Sequence, residues 1–337
     1  MDVIKRLFVD SYNKYKPDTM NEFFYKETFN SKAEIVGNRF MSRNILGSII
    51  SKRYCKIEKQ YIFDNTRVCL VIFCTNKNFP FVELYRVLNF YITVLNKLRH
   101  IPVVNIMLYA TNLKKQFPST PGIVLDENNV NSGVTIFQSD DYNERMIVIY
   151  RKEELFKVLL HELIHYYELD FHDYNGMHDT YFIEKYGVVV SEPYKNRRNP
   201  LALYESYTET VACYGYVLTY MLFKNKPMEQ KNIQSLVEKE TKHYMIQAHK
   251  VFKYGHMREN THVFSYYIIK AAIYFQFDKF KDFLKANGIK MDALEKQERY
   301  LDFIKAMVGD AGFWKELKRT HTTQILLSTL KMTKLAW

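Results

Sequence analysis

The residues best suited to chemistry form one short run, His161-Glu162-Leu163-Ile164-His165. Residues four apart in a helix project from the same face, so His161 and His165 can offer two imidazole nitrogens to one metal ion. Glu162 then lies beside that ion. A metal such as zinc lowers the pKa of a bound water, and a neighbouring carboxylate can accept its proton. The spacing therefore predicts metal-assisted hydrolysis of peptide bonds, with Glu162 as general base.

The segment that carries this run is predicted to be a helix over residues 153–169. Residues 155–160 are almost wholly apolar, and Leu163 and Ile164 lie between the two histidines. A solvated helix would carry a broad polar face, so this one is expected to be largely buried. Buried histidines beside a buried carboxylate need partners, and a metal ion supplies them.

The pentad H-E-x-x-H resembles the zinc signature of the zincin metallopeptidases. The predicted order of a helix, three strands and the motif helix resembles the N-terminal subdomain of these enzymes, where a twisted sheet backs the zinc helix. The resemblance covers roughly residues 80–225. It implies one zinc ion, a peptide or protein substrate, and an edge strand over residues 133–138 that binds the substrate by β-addition.

A third protein ligand is needed, because a catalytic zinc site usually has three. In the metzincin branch of the family the motif continues to a glycine and a third histidine. This chain has Glu168 in place of the glycine and Phe171 in place of the histidine, with His172 one residue out of register. The gluzincin branch, represented by thermolysin, instead takes a glutamate from a later helix.

The run Glu205-Ser206-Tyr207-Thr208-Glu209 resembles that glutamate helix, and also the one in lethal-factor-type peptidases. The resemblance implies that Glu205 binds the metal and that Glu209, one turn later, orients a histidine through its other ring nitrogen. The opposite assignment, with Glu209 as the ligand, stays open. So does an aspzincin-like site that takes Asp173 or Asp179.

A residue from the C-terminal part is expected to stabilise the developing oxyanion. The densest group of suitable side chains lies between His256 and Tyr267, and we expect His262 and Tyr266 to take this role. Arg258 could bind the terminal carboxylate of a substrate, as could Arg197 or Arg198. Endopeptidase and carboxypeptidase activity therefore both stay open.

Apolar periodicity and turn signals predict the remaining elements. Helices are expected near the N-terminus, including residues 21–29, and again over residues 81–99. A hairpin is expected around Asp64-Asn65, with strands at 61–63 and 68–74. Further strands and helices are predicted at 103–110, 134–137, 146–150, 201–224, 229–253, 261–277, 278–287, 291–308 and 313–333.

These elements predict an α+β fold. A zincin-like core, with a twisted mixed sheet backed by helices, is joined to a mostly helical C-terminal subdomain. The expected divisions are an N-terminal helical lead-in over residues 1–60, the catalytic core with the glutamate helix over 61–225, and the helical subdomain over 226–337.

The net charge of +11 is unevenly distributed, with +8 over residues 1–100, −4 over 101–200 and +7 over 201–337. The acidic part contains the motif, which suits a cation. The basic parts could attract nucleic acid or only keep the surface soluble. A nucleic-acid partner is not favoured, because no zinc-finger, helix-turn-helix or aromatic-basic RNA motif occurs.

Four cysteines without a C-x-x-C pair favour a reducing compartment. No apolar run approaches the roughly 20 residues of a membrane helix, and residues 1–6 do not resemble a secretory signal. A cytoplasmic or intracellular location is expected, with a virion as a further option and no membrane partner. The alternative function is a catalytically silent zincin-fold protein with a structural or binding role, for example in a virion or in host interaction.

Overall fold

The computed structural model describes residues 2–15, 22–34, 41–75, 79–118, 120, 123–137, 141, 143–171, 174, 176, 178–191, 199–254, 257–321 and 329–335. These residues form an α+β fold with an open six-stranded mixed sheet and a mostly helical C-terminal part, which confirms the predicted class at that level. The strands are β1 (Glu22–Ser31), β2 (Tyr54–Phe63), β3 (Thr66–Cys74), β4 (Val103–Tyr109), β5 (Gly133–Ile136) and β6 (Met146–Ile149), with a separate pair β7 (Val189–Val190) and β8 (Arg258–Glu259).

The helices are numbered in chain order. They are α1 (Val3–Lys14), α2 (Arg43–Ile50), α3 (Phe81–Asn96), α4 (Glu127–Val130), α5 (Leu155–Tyr166), α6 (Asp179–Tyr186), α7 (Tyr204–Phe223), α8 (Gln230–Lys253), a π-helical segment (Phe264–Ile269), α9 (Lys270–Phe275), α10 (Phe277–Asn287), α11 (Leu294–Gly309) and α12 (Ala311–Arg319). Among the described residues, none of these helices combines the length and the apolar character needed to cross a bilayer.

The chain divides into two compact units, each built from separated segments. The sheet unit comprises Arg6–Lys114 and Asn131–Leu169. The helical unit comprises Met1–Lys5, Lys115–Val130 and Asp170–Trp337. The motif helix α5 therefore belongs to the sheet unit and the glutamate helix α7 to the helical unit.

The sheet has the strand order β1-β2-β3-β4-β6-β5. Strands β3, β4 and β6 are parallel, while β1, β2 and β5 pair antiparallel with their neighbours. The predicted hairpin is confirmed as β2 and β3, and its turn residues Asp64 and Asn65 have φ values of 47° and 62°. Positive φ at both turn residues matches the right-handed twist of the two strands. Strand β5 ends the strand order, as predicted for residues 133–138, although Gln138 itself lies outside the described residues.

The helix predicted over residues 21–29 is wrong, because this stretch is strand β1. It pairs antiparallel with β2, and Lys26 lies opposite Glu58 with 3.7 Å between ammonium and carboxylate. This stretch holds three consecutive aromatic residues, Phe23, Phe24 and Tyr25, and aromatic side chains favour a pleated surface over a helix. The N-terminal 60 residues are therefore not wholly helical.

Helix α5 is anchored to the sheet at its C-terminal end. The buried hydroxyl of Tyr166 donates to the Val103 carbonyl at the start of β4, at 3.1 Å. Two residues later the chain turns at Glu168, whose φ is 50°. The Glu168 carboxylate pairs with Arg145 at 2.6 Å and also with Arg99. These contacts fix the helix that carries the motif.

The last predicted helix, over residues 313–333, is too long. Helix α12 ends at Arg319, Thr320 already has extended dihedral angles, and residues 322–328 lie outside the described part of the chain. Residues 329–335 form an irregular segment, with Thr329 bridged to Gln116. Side chains form hydrogen bonds with the backbone N–H and C=O groups of this segment, so these groups do not need the hydrogen bonds of a helix.

Buried side chains of α8 and the π-helical segment hold residues 329–335. They donate to successive backbone carbonyls: Lys250 to Thr329, Tyr267 to Leu330 at 2.9 Å, and His243 to Lys331 at 2.9 Å. The Glu240 carboxylate accepts the N–H groups of Lys334 and Leu335 at 3.0 and 3.2 Å. The segment is therefore part of the helical unit.

Replacing Glu240 by Ala should release this segment. Glu240 is fully buried, and its loss leaves two backbone N–H groups and the Tyr244 hydroxyl without their acceptor. We expect the free energy of unfolding in urea to fall by about 2 kcal/mol or more, with faster hydrogen exchange at Lys334 and Leu335. The exposed Glu238→Ala variant should stay within about 0.5 kcal/mol of the native chain. Equal stability of the two variants would contradict this account of the segment.

Candidate metal centre

The two histidines of the motif face each other on α5. Their Nε2 atoms lie 3.1 Å apart and their ring centroids 4.8 Å apart. Helix α5 is confirmed close to its predicted bounds, and His161 is buried while His165 is half-buried. The four-residue spacing has therefore placed both imidazoles on one face of the helix, as predicted.

Glu205 lies in the first turn of α7, a helix that is buried on almost all its faces. The Ser206 hydroxyl donates to the Leu203 carbonyl at 2.6 Å and so helps to fix the start of this helix. One ligand atom from each of His161, His165 and Glu205 lies within 4.8 Å of the others. The three predicted ligands thus form a group that could hold a metal ion.

The donor set fits a metal of the zinc type. Two nitrogens that bind one tetrahedral zinc at about 2.0–2.1 Å lie about 3.3 Å apart, close to the 3.1 Å between the two Nε2 atoms. Glu205 is buried, with 7% of the residue exposed. A cation beside a buried carboxylate offsets the cost of removing its charge from water.

The carboxylate of Glu162 lies against strand β5. The Thr135 hydroxyl is 2.9 Å from Glu162 Oε2 and 2.9 Å from the Glu162 carbonyl oxygen. Gly133, two residues earlier on the same strand, lies near the other carboxylate oxygen, where an added Cβ would be 2.9 Å from Oε1. The sequence placed both residues in the expected edge strand and gave neither a role towards Glu162; its one signal for such a role was a glycine within a predicted strand.

Glu209 has a different environment from Glu205. Its Oε1 accepts from the Lys270 ammonium at 3.0 Å and from the Cys213 thiol at 3.3 Å, and all three residues are buried. Among the described residues, the converging group of ligand atoms contains Glu205 and does not contain Glu209. The proposed role of Glu209 in orienting a histidine stays a prediction. Lys270 was missed because it lies 61 residues away and no local pattern marks it.

The π-helical segment brings Tyr266 to Glu205. The Tyr266 hydroxyl donates to Glu205 Oε2 at 3.1 Å, and the His262 ring lies 5.9 Å from the Tyr266 ring. Both residues are buried. Short π-helical segments often occur at functional sites. The structure thus places Tyr266 at a candidate ligand, while the oxyanion role of Tyr266 and His262 stays a prediction.

The alternative acidic ligand Asp179 is bound within its own unit. It accepts the Leu201 N–H at 2.8 Å and the Tyr174 hydroxyl. Burial raises its pKa to about 6, against the opposing effect of these two hydrogen bonds. Asp179 therefore fixes the chain before α7. The other aspartate of that alternative, Asp173, lies outside the described residues.

The other residues that the sequence suggested for the site are not among the three described residues whose ligand atoms converge. Phe171 packs edge-on against Tyr300 with ring centroids 5.4 Å apart, as part of the core of the helical unit. The side chain of Arg258 is exposed on β8. His172, Arg197, Arg198 and His256 lie outside the described residues.

Comparisons with protein-family models, with curated proteins and with solved structures find no match to this chain.

We expect the chain to bind one divalent metal ion, with Co²⁺ as a convenient probe because its visible absorption reports the ligands. The His161→Ala and Glu205→Gln variants should each weaken binding at least about 100-fold, since each removes one of three donors. Titration of the purified chains measures this effect. The exposed His100→Ala variant is the control and should bind as the native chain does. Unchanged affinity in Glu205→Gln would remove Glu205 from the ligand set.

Proposed function

We propose that this chain is a zinc-dependent metallopeptidase of gluzincin type. His161, His165 and Glu205 hold the ion, and Glu162 is the general base. The observation that carries the proposal is the convergence of these three ligand atoms within 4.8 Å, with a carboxylate next to the first ligand in the sequence. Two imidazoles and one carboxylate form the ligand set of thermolysin-like zinc sites.

Zinc, when bound, lowers the pKa of a water and polarises the carbonyl of the scissile peptide. The Glu162 carboxylate accepts one proton from the attacking water as the new C–O bond forms. It then passes this proton to the leaving nitrogen as the C–N bond breaks. The carboxylate is regenerated, so one water is consumed for each peptide bond cleaved. Tyr266 and His262 are the candidates that donate to the developing oxyanion.

Strand β5 supports the choice of a peptide as substrate. It is the last strand in the order of the sheet. Its Thr135 hydroxyl contacts the Glu162 carboxylate, and a Cβ added at Gly133 would meet the same side chain. An extended peptide that pairs with the outer edge of β5 would form main-chain hydrogen bonds there. Its backbone would then run beside the general base.

The Glu162→Gln variant should separate catalysis from metal binding. Glutamine keeps the shape of the side chain but cannot accept the proton, so we expect kcat to fall about 100-fold or more with the zinc content unchanged. Cleavage of a proteome-derived peptide library, read by mass spectrometry, measures activity, and elemental analysis measures zinc. The exposed Glu184→Gln variant should cleave as the native chain does.

Equal cleavage by the native and Glu162→Gln chains would contradict the proposal. A native chain that holds zinc and cleaves no peptide of the library would instead favour the catalytically silent zincin-fold protein, with a structural or binding role.

A further inference from the structure

We propose that Gly133 and Thr135 of β5 are positioning residues that together fix the side chain of Glu162. Thr135 holds one carboxylate oxygen by a hydrogen bond, and Gly133 leaves the space that the other oxygen occupies. The inference rests on the proposed function for the role of Glu162 as general base, while the geometry stands by itself.

A glycine occupies position 133 because a larger residue would lack space there, and not because the backbone conformation requires glycine. An added Cβ would lie 2.9 Å from Glu162 Oε1 and 3.1 Å from both Glu162 Cγ and Val158 Cγ1. Gly133 is not among the residues with positive φ, so its backbone would accept any residue. A glycine within a strand costs stability, and it typically marks a close approach of another group. Here that group is the Glu162 side chain.

Thr135 acts from the same face of the strand, because residues two apart in a strand point to the same side. Its hydroxyl lies 2.9 Å from both the Oε2 atom and the carbonyl oxygen of Glu162. The hydroxyl carries one proton, so both acceptors lie within reach of a single donor. A carboxylate that accepts this bond is held close to its own backbone.

The sheet fixes both residues relative to each other. Gly133 lies opposite Ile149 and Thr135 opposite Ile147 in the antiparallel pair of β5 and β6. Glu162 is 5% exposed, so water provides little competing hydrogen bonding. A general base must lie within hydrogen-bond reach of the proton it removes, and an error of about 1 Å can cost about 100-fold in rate. Strand β5 therefore determines how accurately Glu162 is placed.

The kinetic test uses the zinc-loaded chain of 337 residues and the variants Thr135→Val and Thr135→Ser. Valine removes the donor and keeps the shape, so we expect kcat to fall about 10-fold to 100-fold with little change in KM. The zinc dissociation constant should stay within about twofold of the native value. Serine restores the hydroxyl, and Thr135→Ser should recover most of the lost kcat.

The matched control is Thr93→Val, because the Thr93 hydroxyl donates to the Asn89 carbonyl within α3. This variant should keep the native kcat. A native kcat in Thr135→Val, or a Thr135→Ser chain as impaired as Thr135→Val, would overturn the role of Thr135. Loss of zinc in Thr135→Val would show a general structural role and would also overturn it.

The structural test does not depend on activity. In crystals of Gly133→Ala, the Glu162 carboxylate should be displaced by at least about 0.5 Å, because the Cβ contact of 2.9 Å must lengthen to an ordinary 3.4 Å. An undisplaced carboxylate would overturn the positioning role even if the enzyme were active. A displaced carboxylate in a chain that never cleaves peptides would support the positioning role and sink only the proposed function.

Discussion

The structure brings two imidazole nitrogens to 3.1 Å from each other, with an oxygen of the buried Glu205 within 4.8 Å. The lone pairs and the negative charge of this group must be compensated by neighbouring groups. Buried polar groups of this kind are stable only when hydrogen-bond donors or a cation offset their loss of hydration. A metal ion satisfies two imidazoles and a carboxylate at once, because all three present lone pairs to it.

Each helix that carries a candidate ligand is fixed within its own unit. In the sheet unit, Tyr166 and Glu168 attach the end of α5 to β4 and to two arginines. In the helical unit, Tyr266 donates to Glu205 and Lys270 donates to Glu209. The two donors are four residues apart in the chain, and so are the two carboxylates that they bind on α7. This matching fixes the register of α7 against the segment that follows α8. The Lys270–Glu209 pair is fully buried, and a register that separated the two side chains would leave a buried charge unpaired.

The sequence predicted what depends on local spacing. The motif helix and the hairpin at Asp64-Asn65 follow from periods and turn chemistry within a few residues, whereas the edge position of β5 was expected only from the resemblance to zincins. Strand β1 was missed because its aromatic residues also fit a short amphipathic helix, and the pairing with β2 that makes it a strand is not visible in the local sequence. The contacts of Thr135 with Glu162 and of Lys270 with Glu209 join residues 27 and 61 positions apart, which no local pattern reveals. The zincin class and the roles of His262 and Tyr266 stay predictions.

The most direct test of the metal centre is a crystal structure of the zinc-soaked chain, with anomalous scattering recorded on both sides of the zinc absorption edge. We expect one zinc peak bonded to Nε2 of His161, Nε2 of His165 and a carboxylate oxygen of Glu205. Bond lengths of about 2.0–2.2 Å are expected for all three. Absence of a zinc peak among these three side chains, at a zinc concentration that saturates thermolysin-like sites, would contradict the account.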